Sequence, residues 1–236
     1  MRRRRLRPRA PAGAAAARPA ELYPAEERLE VLPLIPTGTR ALLDVGCGRG
    51  GFGRSLRNSG RVGTIWGLEQ NGAFGQEASR HYDELIIGTF PEALVGHPAR
   101  FDCVVFNDVL EHMVDPWEAL RQARSLLKPG GAVVASIPNV RNARTLFDLV
   151  VRGDWTYVDM GVLDRTHLRF FTKRTVRSLF SESGYRVDAL HGINSLGRSH
   201  FPLGTVLPPV LGDLAFTGFG VRARPAEAGH QAPRVW

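Results

Sequence analysis

Apolar positions along the chain fall into two alternating kinds of run. Short runs rich in Val, Ile, Leu and Phe read as strands: RALLDV (residues 40–45), VGTIWGLE (62–69), DELIIG (83–88), FDCVVFND (101–108) and AVVASIP (132–138). FDCVVFND is apolar enough to be covered on both faces. Between them lie stretches with helical spacing, residues 51–58, 73–81 and PWEALRQARSLL (116–127), the last expected to stop at the KPGG that follows. AEERLEVL (25–32) is expected as a leading helix closed by Pro33. Such alternation is the signature of parallel βαβ units, so the predicted fold class is a doubly wound α/β sheet. Beyond Asn139 the rhythm changes. A helix over 143–151 leads into RGDWTYVDMGVLDRTHLRFFT, too long and too aromatic for a plain connection, so residues 139–171 are expected to form a functional insert. A helix over 173–183, a strand YRVDALHG (185–192) and a last strand LAFTGFGVRAR (214–224) complete the pattern, and no internal repeat is visible.

The 236 residues, 43% hydrophobic and 23% charged, suit one soluble globular domain. We place it over 21–224, between an Arg/Ala-rich tail (1–20) and a short C-terminal tail (225–236). The net charge of +8 suggests nucleic acid at first sight, but seven arginines fall in the first 18 residues, and the rest of the chain is close to neutral. This argues against a nucleic-acid partner. The tail lacks the apolar core of a secretory signal and has too little apolar surface to offset the entropy of ordering it; a transit peptide or a nucleic-acid-binding arm is the other reading. Two cysteines, Cys47 and Cys103, give no disulfide framework and fit a reducing cytoplasm. Neither has metal-ligand spacing, and no metal site is read. SHFPLGTVLPPVLG is too short and too proline-rich to span a bilayer as a helix. Oligomeric state is not legible.

Candidate chemistry begins at LLDVGCGRGGFG (42–53), which sets five glycines behind the first strand. Gly46, Gly48 and Gly51 satisfy a dinucleotide G-x-G-x-x-G, while Asp44, Gly46, Gly48 and Gly50 spell D-x-G-x-G-x-G. Asp44 would repel a pyrophosphate by ~4 kcal/mol at about 4 Å and an effective dielectric near 20. It suits a cationic ligand such as S-adenosylmethionine, with its sulfonium and ammonium; alternatively it only caps the loop. Glu69, with Gln70 beside it at the end of the second strand, is placed to accept ribose hydroxyls of either cofactor.

FDCVVFNDVLEHMVDPWEALRQARSLLKPGG resembles the class I S-adenosylmethionine-dependent methyltransferases, and with LDVGCGRGG and Glu69 the resemblance covers residues 40–138 in order. IPNVRN, LDRTHLRFFT and SGY extend it to about Tyr185. The resemblance implies a Rossmann-like, mostly parallel seven-stranded sheet with helices on both faces and an antiparallel last strand. It also implies S-adenosyl-L-methionine as cofactor, with Gly46, Cys47, Gly48 and Gly50 lining its methionine part and Asn107 and Asp108 nearby. Many relatives carry an acid against the adenine after the third strand. This chain has GTF, so Thr89 or Phe90 would take that contact.

A hydroxyl acceptor must lose its proton, and His112 and His167 are the candidate bases, since a histidine of ordinary pKa is largely neutral near pH 7. His112 follows Asp108 by four residues, on one face if the turn is helical. Asp164, three residues before His167, is placed to orient its ring. Each also has a structural reading, His112 as a helix-start residue and DRTH as a cap. Trp155, Tyr157, Phe170 and Phe171 are candidates to stack on an acceptor, with Phe170 or Phe171 belonging to the core. The expected function is O-methylation of a small molecule or saccharide in glycan or natural-product biosynthesis. The saccharide preference comes only from the resemblance to methyltransferases with this insert. The alternatives are an NAD(P)-dependent oxidoreductase and a non-catalytic binding protein using the basic tail.

Overall fold

The computed structural model describes residues 25–96, 101–195 and 212–227, so the sequence readings for residues 1–20 lie outside it. Strands β1 (Ala41–Val45), β2 (Thr64–Glu69), β3 (Glu84–Ile87), β4 (Phe101–Asn107), β5 (Leu127–Pro138), β6 (Tyr185–Ser195) and β7 (Phe216–Pro225) form one sheet, ordered β3-β2-β1-β4-β5-β7-β6. β7 runs antiparallel to both β5 and β6, and the other pairings are parallel. Five helices accompany it among the described residues: α1 (Gly51–Ser59), α2 (Gly72–Ala78), α3 (Pro116–Leu126), α4 (Ala143–Val151) and α5 (Lys173–Glu182).

Alternation along the central strands sorts side chains into two layers. Leu42, Ile65, Cys103, Val105 and Val134 face Phe52 and Leu56 of α1 together with Ala78 and Tyr82. Leu43, Val104, Phe106, Val133 and Ala135 face Leu120 and Ala123 of α3 and Val176, Leu179 and Phe180 of α5. Helix starts are fixed by side chains that accept otherwise orphaned N–H groups: Asn71 for α2, Asp115 for α3, Asn142 for α4 and a Thr172–Thr175 capping box for α5.

Two expectations fail for local reasons. Residues 25–32 are not a helix: a turn precedes a short 3-10 segment, Leu32–Leu34, and Arg28 sits at φ +46, which a helix cannot contain. KPGG ends α3 as expected, yet β5 starts already at Leu127 and runs through it, because Leu127 pairs with Phe101 before the register shifts to Cys103↔Ala132. Connections leave β1 and β4 in opposite directions along the sheet. The crevice beyond their carboxyl ends is therefore the place where an open α/β sheet binds ligands.

Candidate active site

A cleft of about 400 Å³ opens at that point. β1 delivers Asp44 and the loop after it delivers Gly46, Cys47 and Gly48; β4 delivers Asn107 and Asp108; the insert closes the far side with Met160, Gly161, Val162, Asp164 and His167. The loop is held by Leu68, whose carbonyl accepts from Gly46 N (2.8 Å) and Cys47 N (3.1 Å). Gly46 has φ +70, and a Cβ there would stand 2.6 Å from Val109 Cγ2, so this position takes only glycine without rearrangement. Glu69 ties the loop to β2: Oε2 accepts Gly48 N–H at 2.9 Å and Oε1 accepts Asn71 N–H at 2.8 Å, leaving each oxygen a lone pair for a ligand. Glu69 itself, Gly50, Gln70 and Thr89 lie outside the cleft wall. Gln70 and Thr89 are exposed, and Thr89 Oγ1 donates to Glu92 at 3.0 Å.

Asp44 is 1% exposed. Its Oδ2 accepts the Tyr82 hydroxyl at 2.6 Å, while Oδ1 is buried without a hydrogen-bond partner. Burial, reinforced by the charge of Glu69 and opposed by the Tyr82 hydrogen bond, pushes the Asp44 carboxyl up to about 7. Asn107 Oδ1 and Nδ2 are likewise buried and unpartnered. Asp108, at φ +49, is by contrast satisfied: Ser136 Oγ donates to Oδ1 at 2.7 Å and Oδ2 pairs with Arg28, which also pairs with Glu26. Burial pushes the Cys47 thiol up, with Asp44 adding to it, so this thiol is a neutral wall and not a nucleophile. A buried orphan carboxylate oxygen beside an orphan amide fits a cationic ligand and opposes a pyrophosphate.

Glu111 docks the insert through its backbone, beside the Arg169 guanidinium's bond to the Val114 carbonyl. The Glu111 carbonyl accepts from Leu168 N (2.8 Å) and Arg169 N (3.0 Å), which carries His167 to within 4.6 Å of His112, ring centroid to centroid. His167 Nδ1 lies 3.0 Å from the Val162 carbonyl, and His112 Nδ1 lies 3.2 Å from the Thr166 carbonyl and 3.1 Å from its hydroxyl. Asp164 works on the turn: its Oδ1 accepts Thr166 N–H and O–H at 2.8 and 2.7 Å, and the carbonyl of Val162 holds His167 Nδ1. Trp155 packs edge-on to Phe170 at 5.3 Å, Phe171 joins the core and Tyr157 is half exposed. Sequence reasoning missed Arg28, and it missed Glu111 as a site residue. Glu111 is fully buried beside both histidines, with its carboxyl pushed well up by burial and by Asp108. Ligand atoms of Glu111, His112 and His167 lie within 4.8 Å of one another.

A family model described as a methyltransferase domain matches residues 14–190. The chain belongs to the class I S-adenosylmethionine-dependent methyltransferases. The match sets aside the oxidoreductase alternative. Similar proteins include the ubiquinone biosynthesis O-methyltransferase of Klebsiella pneumoniae (strain 342), 32% identical over 122 residues and 49% of each chain. That of Aeromonas salmonicida (strain A449) is 27% identical over 70% of this chain and 71% of its own. The methyltransferase thus spans about half the length of the first of these relatives. Its fold is shared with an S-adenosylmethionine-dependent methyltransferase from Archaeoglobus fulgidus (TM-score 0.61, 19% identity, 82% of this chain and 89% of that one). It is shared also with the CcbJ methyltransferase from Streptomyces caelestis (TM-score 0.60, 16% identity, 89% and 94%). Among the described residues no helix is long and apolar enough to cross a membrane.

Proposed function

We propose that this methyltransferase transfers the methyl group of S-adenosylmethionine to a hydroxyl oxygen of a small molecule or saccharide. The observation that carries the reading is the meeting, in one cleft, of a cation-accepting floor (Asp44 and Asn107) with the histidine pair of the 3-10 turn and the insert. The similarity to enzymes named ubiquinone biosynthesis O-methyltransferases supports oxygen as the acceptor atom. When bound, S-adenosylmethionine supplies a sulfonium-activated methyl group, and the protein supplies alignment, worth up to about 7–11 kcal/mol in well-oriented systems.

The residues divide the work by position. Asp44 offers its unpartnered Oδ1, and Asn107 its amide, to the positive part of the cofactor; Gly46, Cys47 and Gly48 leave backbone exposed along its methionine part. Glu69 offers its remaining lone pairs to the ribose, and Thr89 or Phe90 flanks the adenine. Asp108, with Arg28 fastened to it, forms the border between the cofactor floor and the acceptor side. His112 and His167, the latter positioned by the turn that Asp164 organises, act on the acceptor hydroxyl and its proton. Two buried, unpaired cysteines fit action in the reducing cytoplasm. The test is a panel of catechols, other phenols and sugar hydroxyls assayed for S-adenosylhomocysteine release. Methyl transfer to oxygen is expected, whereas transfer confined to amine or carbon acceptors would overturn the oxygen assignment.

A further inference from the structure

Within the cleft Glu111 is a buried carboxyl that the fold leaves unsatisfied. Both carboxyl oxygens are buried without a hydrogen-bond partner, although the neighbouring Asp108 has its own oxygens taken by Ser136 and Arg28. Buried carboxylates in that condition ordinarily pair with charge or coordinate a metal. The surroundings match a ligand shell. His167 Nε2 lies 3.9 Å from Glu111 Oε1, too far for a hydrogen bond and close enough for two ligands of one ion. Each ring also sets its Nδ1 against a backbone carbonyl, Val162 for His167 and Thr166 for His112. That is how metal-ligating histidines are usually oriented, the N–H of one nitrogen anchored and the other nitrogen turned to the ion.

We propose that Glu111, His112 and His167 form a site for one divalent cation of the zinc, cobalt or manganese class. The three ligand atoms lie within 4.8 Å of one another, so less than an ångström of closure brings them to bond lengths of about 2.0–2.2 Å around a common centre. Two imidazoles and one carboxylate favour a borderline transition metal; magnesium and calcium prefer all-oxygen shells. Three protein ligands leave open positions, and the site faces the cleft. What the cation would do there rests on the methyltransferase reading: it would hold the acceptor's hydroxyl oxygen and lower its pKa, so that the proton passes to water in the cleft rather than to a histidine, whose ring nitrogen is then taken by the ion. Glu111 has two jobs in this arrangement. Its carbonyl docks the insert that brings His167, and its carboxylate binds the ion that His167 completes.

The test uses the full chain stripped of metal by chelator. Zinc chloride is titrated by calorimetry, and cobalt chloride is followed by its visible absorption bands. One ion per chain is expected, with Glu111→Gln and His167→Asn each weakening binding at least tenfold. His191→Asn, on the exposed edge strand β6, should leave binding unchanged. Circular dichroism and thermal melts check folding, and His112→Gln takes the place of Glu111→Gln if the latter unfolds. No stoichiometric binding of either ion, or binding indifferent to the Glu111 and His167 changes, overturns the site. S-adenosylmethionine is titrated into the same stripped protein: cofactor binding without metal binding refutes the cation site and leaves the methyltransferase reading standing. Metal binding without cofactor binding refutes that reading and supports the site.

Discussion

Replacing Asp44 by Asn should make the protein more stable and a poorer binder of its cofactor at the same time. In the free protein burial holds this carboxyl at about 7 against an ordinary 3.8. Keeping it ionised therefore costs ~4 kcal/mol at pH 8, an order-of-magnitude figure from 1.36 kcal/mol per pKa unit. The sign follows from linkage: the folded state holds a proton that the unfolded state has released between pH 4 and 7, so stability falls as pH rises through that window. The gain from Asp44→Asn should therefore be near zero at pH 4, grow towards pH 7 and level off above it. The amide can still accept from Tyr82 but brings N–H groups of its own that need partners, so a net gain of about 2–3 kcal/mol at pH 8 is the expectation. Urea unfolding at several pH values measures it. In parallel, losing a charge-assisted hydrogen bond of about 1.5–3 kcal/mol should weaken S-adenosylmethionine binding some 10- to 150-fold at pH 8. For the wild type, affinity should fall about tenfold per pH unit below 7, because binding needs the ionised carboxylate. A gain over the wild type that is no larger at pH 8 than at pH 4, or a variant that keeps its affinity, would refute the reasoning.

Other perturbations separate the parts of the cleft. Tyr82→Phe removes the hydroxyl that donates to Asp44, so the pH midpoint of cofactor binding should move upward, as calorimetry across pH 6–9 would show. Gly46→Ala places a methyl 2.6 Å from Val109 Cγ2 at a positive φ and should cost about 1–3 kcal/mol of stability, read by denaturant unfolding, along with cofactor affinity. His167→Ala should leave cofactor affinity unchanged and lower turnover by about 10²- to 10⁴-fold; an unchanged rate would remove His167 from the chemistry. Deleting residues 1–18 should leave cofactor binding intact, and loss of binding on deletion would return the arginine tail to the site.

The sheet and its glycine loop were legible because they depend on local pattern. Period-two alternation in RALLDV and FDCVVFND places Leu42 and Leu43 in opposite layers, and glycines mark the turn that Gly46 makes at positive φ. Asp44 was legible as chemistry because an acid inside a buried strand end needs a reason. The segment 25–32 was not, since its spacing satisfies a helix, whereas Arg28 takes a left-handed backbone and pairs with Asp108, eighty residues away in the chain. Glu111 escaped for a similar reason. Its burial is created by an insert that returns more than fifty residues later and hangs on its carbonyl, so nothing adjacent to LEH reveals it. The ring partner of His167 escaped too, because a backbone carbonyl, that of Val162, carries no sequence signal.

The central claim, that the cleft between β1 and β4 takes a sulfonium cofactor on an acidic floor, is tested most directly by titrating the full chain with S-adenosylmethionine and, separately, with NAD⁺ by calorimetry. S-adenosylmethionine should bind one per chain, with affinity that Asp44→Asn reduces, and NAD⁺ should give no heat. Binding of NAD⁺ with no binding of S-adenosylmethionine would contradict it.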